Sequence, residues 1–326
     1  MRYSAALFDG PGLPLRLAEF ALPPLGPGEL LVRVTACTIC GSDLHSLAGR
    51  RPAPSPSILG HEAIGINVAT GQRITWSIMA SCGHCPLCQR GLPQKCESLF
   101  KYGHAKHETH PSGGLSQYLI LRPGTTILPV PDHLPDAVAC PLNCATATVA
   151  ACLRPAGRLS GADVLIQGAG LLGLTAAAMA AAAGAAQIHV VDPNPARRAL
   201  ALRFGATTVH PDSTHLPAVD IALELSGHSA ALPPLRIGGL YVLAGAVFAT
   251  PPLPVDPEAI VRRLLRIQGV HNYAPADLVT ALAFLLENHH RYPFAELVPP
   301  SFPLAEINEA LAYQSLHRPT RVLIRP

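Results

Sequence analysis

The sequence predicts an α/β protein in which a β-rich region is interrupted by a parallel sheet flanked by helices. Three observations carry that prediction. Residues 1 to about 143 break into short apolar runs, such as 30–34, separated by proline and glycine and without a long helical period. From about Ala145 the texture changes. Alanine-rich helical stretches alternate with short apolar runs at Asp163–Gln167, 188–192, 219–225 and 239–244. Strand–helix alternation of this kind implies βαβ units and a parallel sheet. Past Tyr273 the pattern is mixed again, with a helix around 276–287 and a closing strand near 321–325. The expected domains are therefore 1–143, 144–272 and 273–326, the last returning to the first.

Length and composition agree. A chain of 326 residues suggests two domains at ~150 residues each. It is 49% hydrophobic and only 14% charged, which excludes a disordered or coiled-coil chain. A net charge of +3 argues against a nucleic-acid binder that works by phosphate neutralisation. Proline (34) and glycine (27) are frequent, as turns between short strands require. The first ten residues hold no apolar core long enough for a signal peptide. The stretch 171–191 is apolar but broken by Gly173, Gly184, Gln187 and His189, so it reads as a buried helix followed by a strand, not a membrane span. The expectation is a cytoplasmic protein with no membrane partner, and in a reduced cytosol clustered cysteines mean metal more often than disulfides.

Nine cysteines, an odd number, fit no complete disulfide framework. Cys82, Cys85, Cys88 and Cys96 form C-x2-C-x2-C-x7-C. Four thiolates so close in sequence can close a tetrahedral shell around Zn2+. An iron–sulfur cluster needs a different spacing at the fourth cysteine. A closed site of this kind is structural: it folds a loop and catalyses nothing.

Gly168-Ala169-Gly170-Leu171-Leu172-Gly173 follows the apolar run Asp163–Gln167 and opens a helix. Glycines at such a turn let a pyrophosphate approach the helix N-terminus, the signature of a Rossmann fold. The next strand ends in Asp192, 24 residues after Gly168. A carboxylate there accepts hydrogen bonds from ribose hydroxyls and repels a 2′-phosphate, which favours NAD over NADP. Arg197 and Arg198 stand close enough to complicate that preference.

Three separated pieces remain: Cys40 in Cys37-Thr38-Ile39-Cys40-Gly41-Ser42-Asp43-Leu44-His45, then Gly60-His61-Glu62, then Cys144 in Asn143-Cys144-Ala145-Thr146-Ala147-Thr148. Singly, each reads equally well as core. Together they supply Cys, His and Cys, three ligands with one position open, as catalytic zinc requires.

With these pieces in this order the chain resembles the zinc-dependent alcohol dehydrogenases of the medium-chain dehydrogenase/reductase superfamily over nearly its whole length. The resemblance implies a GroES-like β-rich catalytic domain and a Rossmann-fold coenzyme domain. It implies that Cys40, His61 and Cys144 bind catalytic zinc, that Glu62 is the adjacent carboxylate able to approach the metal, and that a second zinc sits in the four-cysteine lobe. Cys144 is preferred to Cys140 because the family's third ligand stands about two dozen residues before the first fingerprint glycine; Cys144 is 24 residues from Gly168 and Cys140 is 28. Thr148 matches a position that contacts nicotinamide, and Arg321 resembles the family's late basic residue at the pyrophosphate. Cys37, Cys140 and Cys152 are left as core residues.

The implied reaction is hydride transfer between an alcohol and NAD+, the metal acting as a Lewis acid. Ser42 accepts the proton of the alcohol and His45 passes it to solvent. Asp43 hydrogen-bonds His61 and fixes its ligating nitrogen. Gly41 stands where some classical members carry a basic residue, which resembles the polyol dehydrogenase branch. All three lysines (Lys95, Lys101, Lys106) fall within 12 residues beside His104, His107 and His110, and Arg50-Arg51 lie between His45 and Gly60. This suggests a basic rim for an anionic substrate. The strings around Gly91–Cys96, 99–104 and 144–148 resemble a subgroup of alcohol dehydrogenases associated with phosphonate catabolism, so a hydroxyalkylphosphonate is one expected substrate. His271, Asn272 and Tyr273 are candidate substrate contacts. Polyol oxidation, and use of NAD without net turnover by a lyase, epimerase or dismutase, stay open as alternatives. Family members are commonly dimers or tetramers, so a homo-oligomer is expected. The short stretch between His61 and Cys82 marks a trimmed member.

Overall fold

The computed structural model describes residues 1–107 and 110–326. The chain forms two compact units: Met1–Cys144 with Ala274–Leu282 and Phe294–Pro326, and Ala145–Tyr273 with Ala283–Pro293. The segment 273–326, expected to return whole, is divided, because the boundary falls inside the continuous helix Pro275–Asn288.

The first unit is built on an eight-stranded sheet. Its main path runs Ser301–Pro303, Leu323–Arg325, Leu30–Thr38, Glu62–Asn67, Arg73–Ala80 and Phe100–Lys101. Tyr118–Leu121 pairs with Leu30–Thr38, and Thr125–Pro129 with Arg73–Ala80. A smaller sheet joins Arg16–Ala21, Arg2–Phe8 and Ser57–Ile58. Period-two alternation explains the central strand: Val32 and Val34 are buried while Arg33 is exposed. Apolar faces converge on a core that includes Tyr3, Phe8, Ile39, Ile58 and Trp76.

Register sets up one end of this sheet. Thr38 lies opposite Glu62 on one side and opposite Leu323 on the other. The chain just beyond Thr38, the residues at the start of Glu62–Asn67 and those just before Leu323 therefore meet. A 3-10 turn, Cys140–Asn143, packs on the same strands, and Asn143 donates from Nδ2 to the Trp76 carbonyl at 2.8 Å.

The second unit holds a six-stranded sheet in the order Thr208–His210, Gln187–Val191, Asp163–Gln167, Val219–Glu224, Leu235–Leu243 and Arg266–Gly269, every pair parallel. Chain order reverses direction between Asp163–Gln167 and Val219–Glu224, the point where dinucleotides bind in doubly wound folds. The apolar stretch 171–191 divides into helix Leu171–Ala182 and strand Gln187–Val191. Leu171, Leu174 and Ala176–Ala180 of the helix are all buried. A helix apolar all round belongs inside a core, which is why its composition mimicked a membrane span. Among the described residues no single helix is long and apolar enough to cross a membrane.

Candidate metal and coenzyme sites

Cys40, His61, Glu62 and Cys144 offer donor atoms that all lie within 4.8 Å of one another. Cys40 ends the extended stretch after Leu30–Thr38 and caps helix Gly41–Leu47. His61 and Glu62 open the neighbouring strand, and Cys144 follows the 3-10 turn. Asp43 ties two of these together. Its Oδ2 accepts from the Cys40 backbone N–H at 2.9 Å, and its Oδ1 stands 3.4 Å from His61 Nδ1. With Nδ1 facing Asp43, Nε2 is the nitrogen left to ligate; it lies 3.3 Å from Ser42 Oγ. Burial opposes a charge on His61, but Asp43 and then Cys40 outweigh it and lift the imidazole to about 10. The Cys144 thiol, hydrogen-bonding to Cys40, holds the Cys40 thiol well below its usual range against the cost of burial, aided by Arg321 and His61.

Glu62 is spoken for. Oε2 accepts from Thr38 Oγ1 at 2.7 Å and from Arg321 Nε at 2.7 Å, and Oε1 accepts from Arg321 Nη2 at 2.8 Å. Burial raises its carboxyl to about 7, with Arg321 pulling the other way. Arg321 Nη2 also stands 3.6 Å from Cys40 Sγ. This arginine, expected at a pyrophosphate, is thus brought to the metal-ligand cluster, the result of the Thr38–Leu323 register. Two sulfurs and an imidazole nitrogen remain. With Zn–S ~2.3 Å and Zn–N ~2.0 Å, tetrahedral donors stand roughly 3.5–4 Å apart, so the set fits zinc with one position open.

The four-cysteine lobe is the second fit. Cys82, Cys85, Cys88 and Cys96 also lie within 4.8 Å of one another, with Sγ–Sγ distances of 3.5 Å for Cys82–Cys96 and 3.9 Å for Cys85–Cys96. Backbone N–H groups of Glu97 and Cys88 hold the Cys85 thiol down at about 6, which favours the thiolate that zinc needs. All nine cysteines are free thiols.

In the second unit the glycine turn has the shape its sequence requires. A Cβ on Gly173 would lie 1.7 Å from the Gly168 carbonyl oxygen, so only glycine lets the helix pack on the turn. A Cβ on Gly170 would meet nothing within 4 Å, leaving open space at the N-terminus of Leu171–Ala182, where a diphosphate fits. Leu172 is half-buried. Asp192 sits at the end of Gln187–Val191, its Oδ2 accepting from Ala169 N at 2.8 Å and its Oδ1 from Asn194 N at 2.8 Å. Arg197 Nη1 stands 4.0 Å from Asp192, while Arg198 donates to the Asp192 and Pro193 carbonyls. Thr148 is half-buried on helix Ala145–Leu153. His45 is half-buried on Gly41–Leu47; burial and then Arg50 hold its pKa below the ordinary histidine value.

One grouping joins two members of the basic rim expected from the sequence. The His104 ring lies 4.9 Å from the His61 ring, and Arg51 Nη1 is 3.4 Å from His104 Nε2. The concentration of lysine and histidine flagged this region, but its meeting with Arg51, 53 positions away, is tertiary.

Comparison with known proteins places the chain among dehydrogenases. The family model of the alcohol dehydrogenase GroES-like domain matches residues 26–132, and that of zinc-binding dehydrogenase matches 172–287. The chain is 31% identical to an L-galactonate-5-dehydrogenase of Escherichia coli, over 85% of this chain and 88% of the relative. A solved alcohol dehydrogenase from Thermotoga maritima superposes over 100% of both chains with a TM-score of 0.90 and 26% identity. A zinc-binding dehydrogenase from Sinorhizobium meliloti, solved bound to NADP, gives 0.86 and 26% over 100% of both chains.

Proposed function

The chain belongs to the zinc-dependent alcohol dehydrogenases of the medium-chain dehydrogenase/reductase superfamily, and from that premise we propose that it moves a hydride between NAD and a small alcohol or the matching carbonyl compound. One observation carries the reading: Cys40, His61 and Cys144 converge while Glu62 is committed to Arg321 and Thr38. That donor set suits a metal with a position open to substrate. Bound there, zinc supplies Lewis acidity that eases loss of a hydroxyl proton, and NAD supplies the hydride acceptor.

The chain's own residues do the rest. Asp43 orients His61 through Nδ1. Ser42 Oγ, 3.3 Å from His61 Nε2, is poised to take the substrate hydroxyl proton, and His45 passes it to solvent. Cys82, Cys85, Cys88 and Cys96 hold the structural zinc. Gly168, Gly170, Leu171, Leu172 and Gly173 would offer the diphosphate a helix N-terminus, and Thr148 would contact the nicotinamide. Asp192 favours NAD over NADP, since a 2′-phosphate beside a buried carboxylate is repelled. Simple alcohols and polyols are the substrate classes supported by the relatives' names, and a hydroxyalkylphosphonate is the anionic candidate. Thiolate ligands suit the reducing cytoplasm. A second copy of the chain is the proposed partner: strand Arg266–Gly269 ends its sheet with all four residues exposed, flanked by exposed Val261 and Leu264.

The test joins metal analysis to an NADH-absorbance screen over simple alcohols, polyols and hydroxyalkylphosphonates. Two zinc ions per chain and oxidation of one class support the reading. A chain holding one zinc, or oxidising none of these with NAD+, overturns it.

A further inference from the structure

At the end of strand Val219–Glu224 the chain buries a carboxylate completely. Glu224 is 0% exposed, and its Oε1 accepts from Ser226 N, Ser226 Oγ and Gly227 N at 2.7 Å each and from His228 N at 3.3 Å. The turn after the strand is thus wound around one oxygen. Glu224 holds the neighbouring loop as well, through its backbone. Its carbonyl accepts from Ala244 N and Gly245 N, both at 3.0 Å, just beyond strand Leu235–Leu243. Two glycines allow this closeness. A Cβ on Gly245 would stand 2.3 Å from Gly227 N and 2.8 Å from Glu224 Oε2. One on Gly227, at φ +77°, would stand 3.0 Å from the Gly245 carbonyl oxygen and 3.0 Å from the Phe248 ring.

These two loops lie where a dinucleotide must cross. The sheet reverses direction between Asp163–Gln167 and Val219–Glu224, so a ligand in that crevice spans the carboxyl ends of strands on both sides. Asp192, at the end of Gln187–Val191, marks the side that takes the adenosine ribose. That side is held by its own bonds, Gly168 N to the Val191 carbonyl and Ala169 N to Asp192, both at 2.8 Å. The other half of the dinucleotide is left with the ends of Val219–Glu224 and Leu235–Leu243, where Glu224 stands. Two further contacts tie the first loop to the strand before the glycine turn. Leu225 N donates to the Gln167 carbonyl at 3.0 Å. Tyr241 Oη, which donates to Gln167 Oε1 at 2.9 Å, accepts from Ser229 Oγ at 2.6 Å.

We propose that Glu224 is a positioning residue for the coenzyme: by gathering 225–229 and 244–248 around itself it preforms the surface that receives the nicotinamide half of NAD. The proposal rests on the dehydrogenase reading and adds to it a residue that acts through the two loops and not by touching the ligand. A loop ordered before binding loses little entropy when the ligand arrives, and affinity rises accordingly. Without the carboxylate the N–H groups of Ser226 and Gly227 lose their acceptor, and the turn must rearrange to pair them.

The test compares two ligands on the zinc-loaded chain without turnover: NADH, titrated by fluorescence, and 5′-AMP, titrated calorimetrically as a probe of the adenosine half. Glu224→Ala is expected to weaken NADH about tenfold or more and to leave 5′-AMP within about twofold. Glu224→Gln, which keeps an acceptor at the Oε1 position, should retain more NADH affinity than Glu224→Ala. Ser226→Ala, at an exposed position, removes one donor to Oε1 and should show the same pattern more weakly, about threefold on NADH. Where Glu224→Ala does not fold, Ser226→Ala decides by the same two readings. A loss shared equally by NADH and 5′-AMP means a general loosening of the unit and overturns the proposal, as does NADH binding at parental strength in Glu224→Ala. A parent chain that binds no NADH overturns the dehydrogenase reading as well, so the two failures are told apart by the parent alone.

Discussion

Arg321 and Glu62, 259 positions apart, form a buried two-point ion pair, Nε to Oε2 at 2.7 Å and Nη2 to Oε1 at 2.8 Å. The same guanidinium reaches Cys40 Sγ at 3.6 Å. The pair therefore fixes the Glu62 carboxylate while its cation faces the Cys40 sulfur. Removing one partner of a buried pair strands the other charge, at a cost of about 3–5 kcal/mol. Arg321→Leu is expected to lower stability by that order in denaturant titrations. A change under 1 kcal/mol would contradict this role.

Glu62 also gives the chain a pH signature. Burial lifts its carboxyl from 4.5 to about 7, with Arg321 opposing. A group raised in the folded state contributes stability that is full below its unfolded pKa and is lost as pH rises through its folded pKa. In zinc-free protein the stability difference between parent and Glu62→Gln should therefore shift by about 2 kcal/mol against the parent between pH 5.5 and 8. A flat difference would mean the carboxyl titrates normally.

Asp43 touches both Cys40 N and His61 Nδ1. Loss of a carboxylate behind a ligating histidine typically costs 10–100-fold in metal affinity. Asp43→Asn should lose zinc to a competing chelator that much more readily at one of its two sites, with the four-cysteine site unaffected. Equal retention at both sites would remove Asp43 from the metal centre.

What the sequence made legible was what lies close together along it. The four-cysteine lobe and the glycine turn each fit within a short loop, so spacing alone specified their shape. The segment Cys40-Gly41-Ser42-Asp43 showed its candidate ligand in the same way, but not the helix Gly41–Leu47 that Cys40 caps. Arg321 is different. Its place beside Cys40 follows from antiparallel register, Thr38 opposite Leu323, which no local pattern encodes. The meeting of Arg51 with His104 is of the same kind, set by the close approach of Gly103 to Gly60. Local chemistry is written in motifs; the charge environment around it is written in packing.

Gly173 tests the coenzyme turn. An alanine Cβ would stand 1.7 Å from the Gly168 oxygen, backbone that cannot swing aside. The helix must shift off the turn and carry its N-terminus with it. Gly173→Ala is expected to weaken NADH binding at least tenfold by fluorescence titration while zinc content stays at two per chain. Unchanged NADH affinity would place the dinucleotide elsewhere.

Ser42 tests the proton path. Its hydroxyl is 3.3 Å from His61 Nε2, close to where a substrate hydroxyl must lie if that nitrogen binds metal. Positioned proton transfer contributes about 10²–10⁴-fold to rate. Ser42→Ala should keep both zinc ions, bind NADH normally and lose at least tenfold in kcat for alcohol oxidation, with the smallest loss at high pH where hydroxide can take the proton. Ser42→Thr should restore most of the rate, because it returns a hydroxyl to the same Cβ. Normal turnover in the alanine variant would show that the proton leaves by another route, with Ser42 serving only to pack against His61.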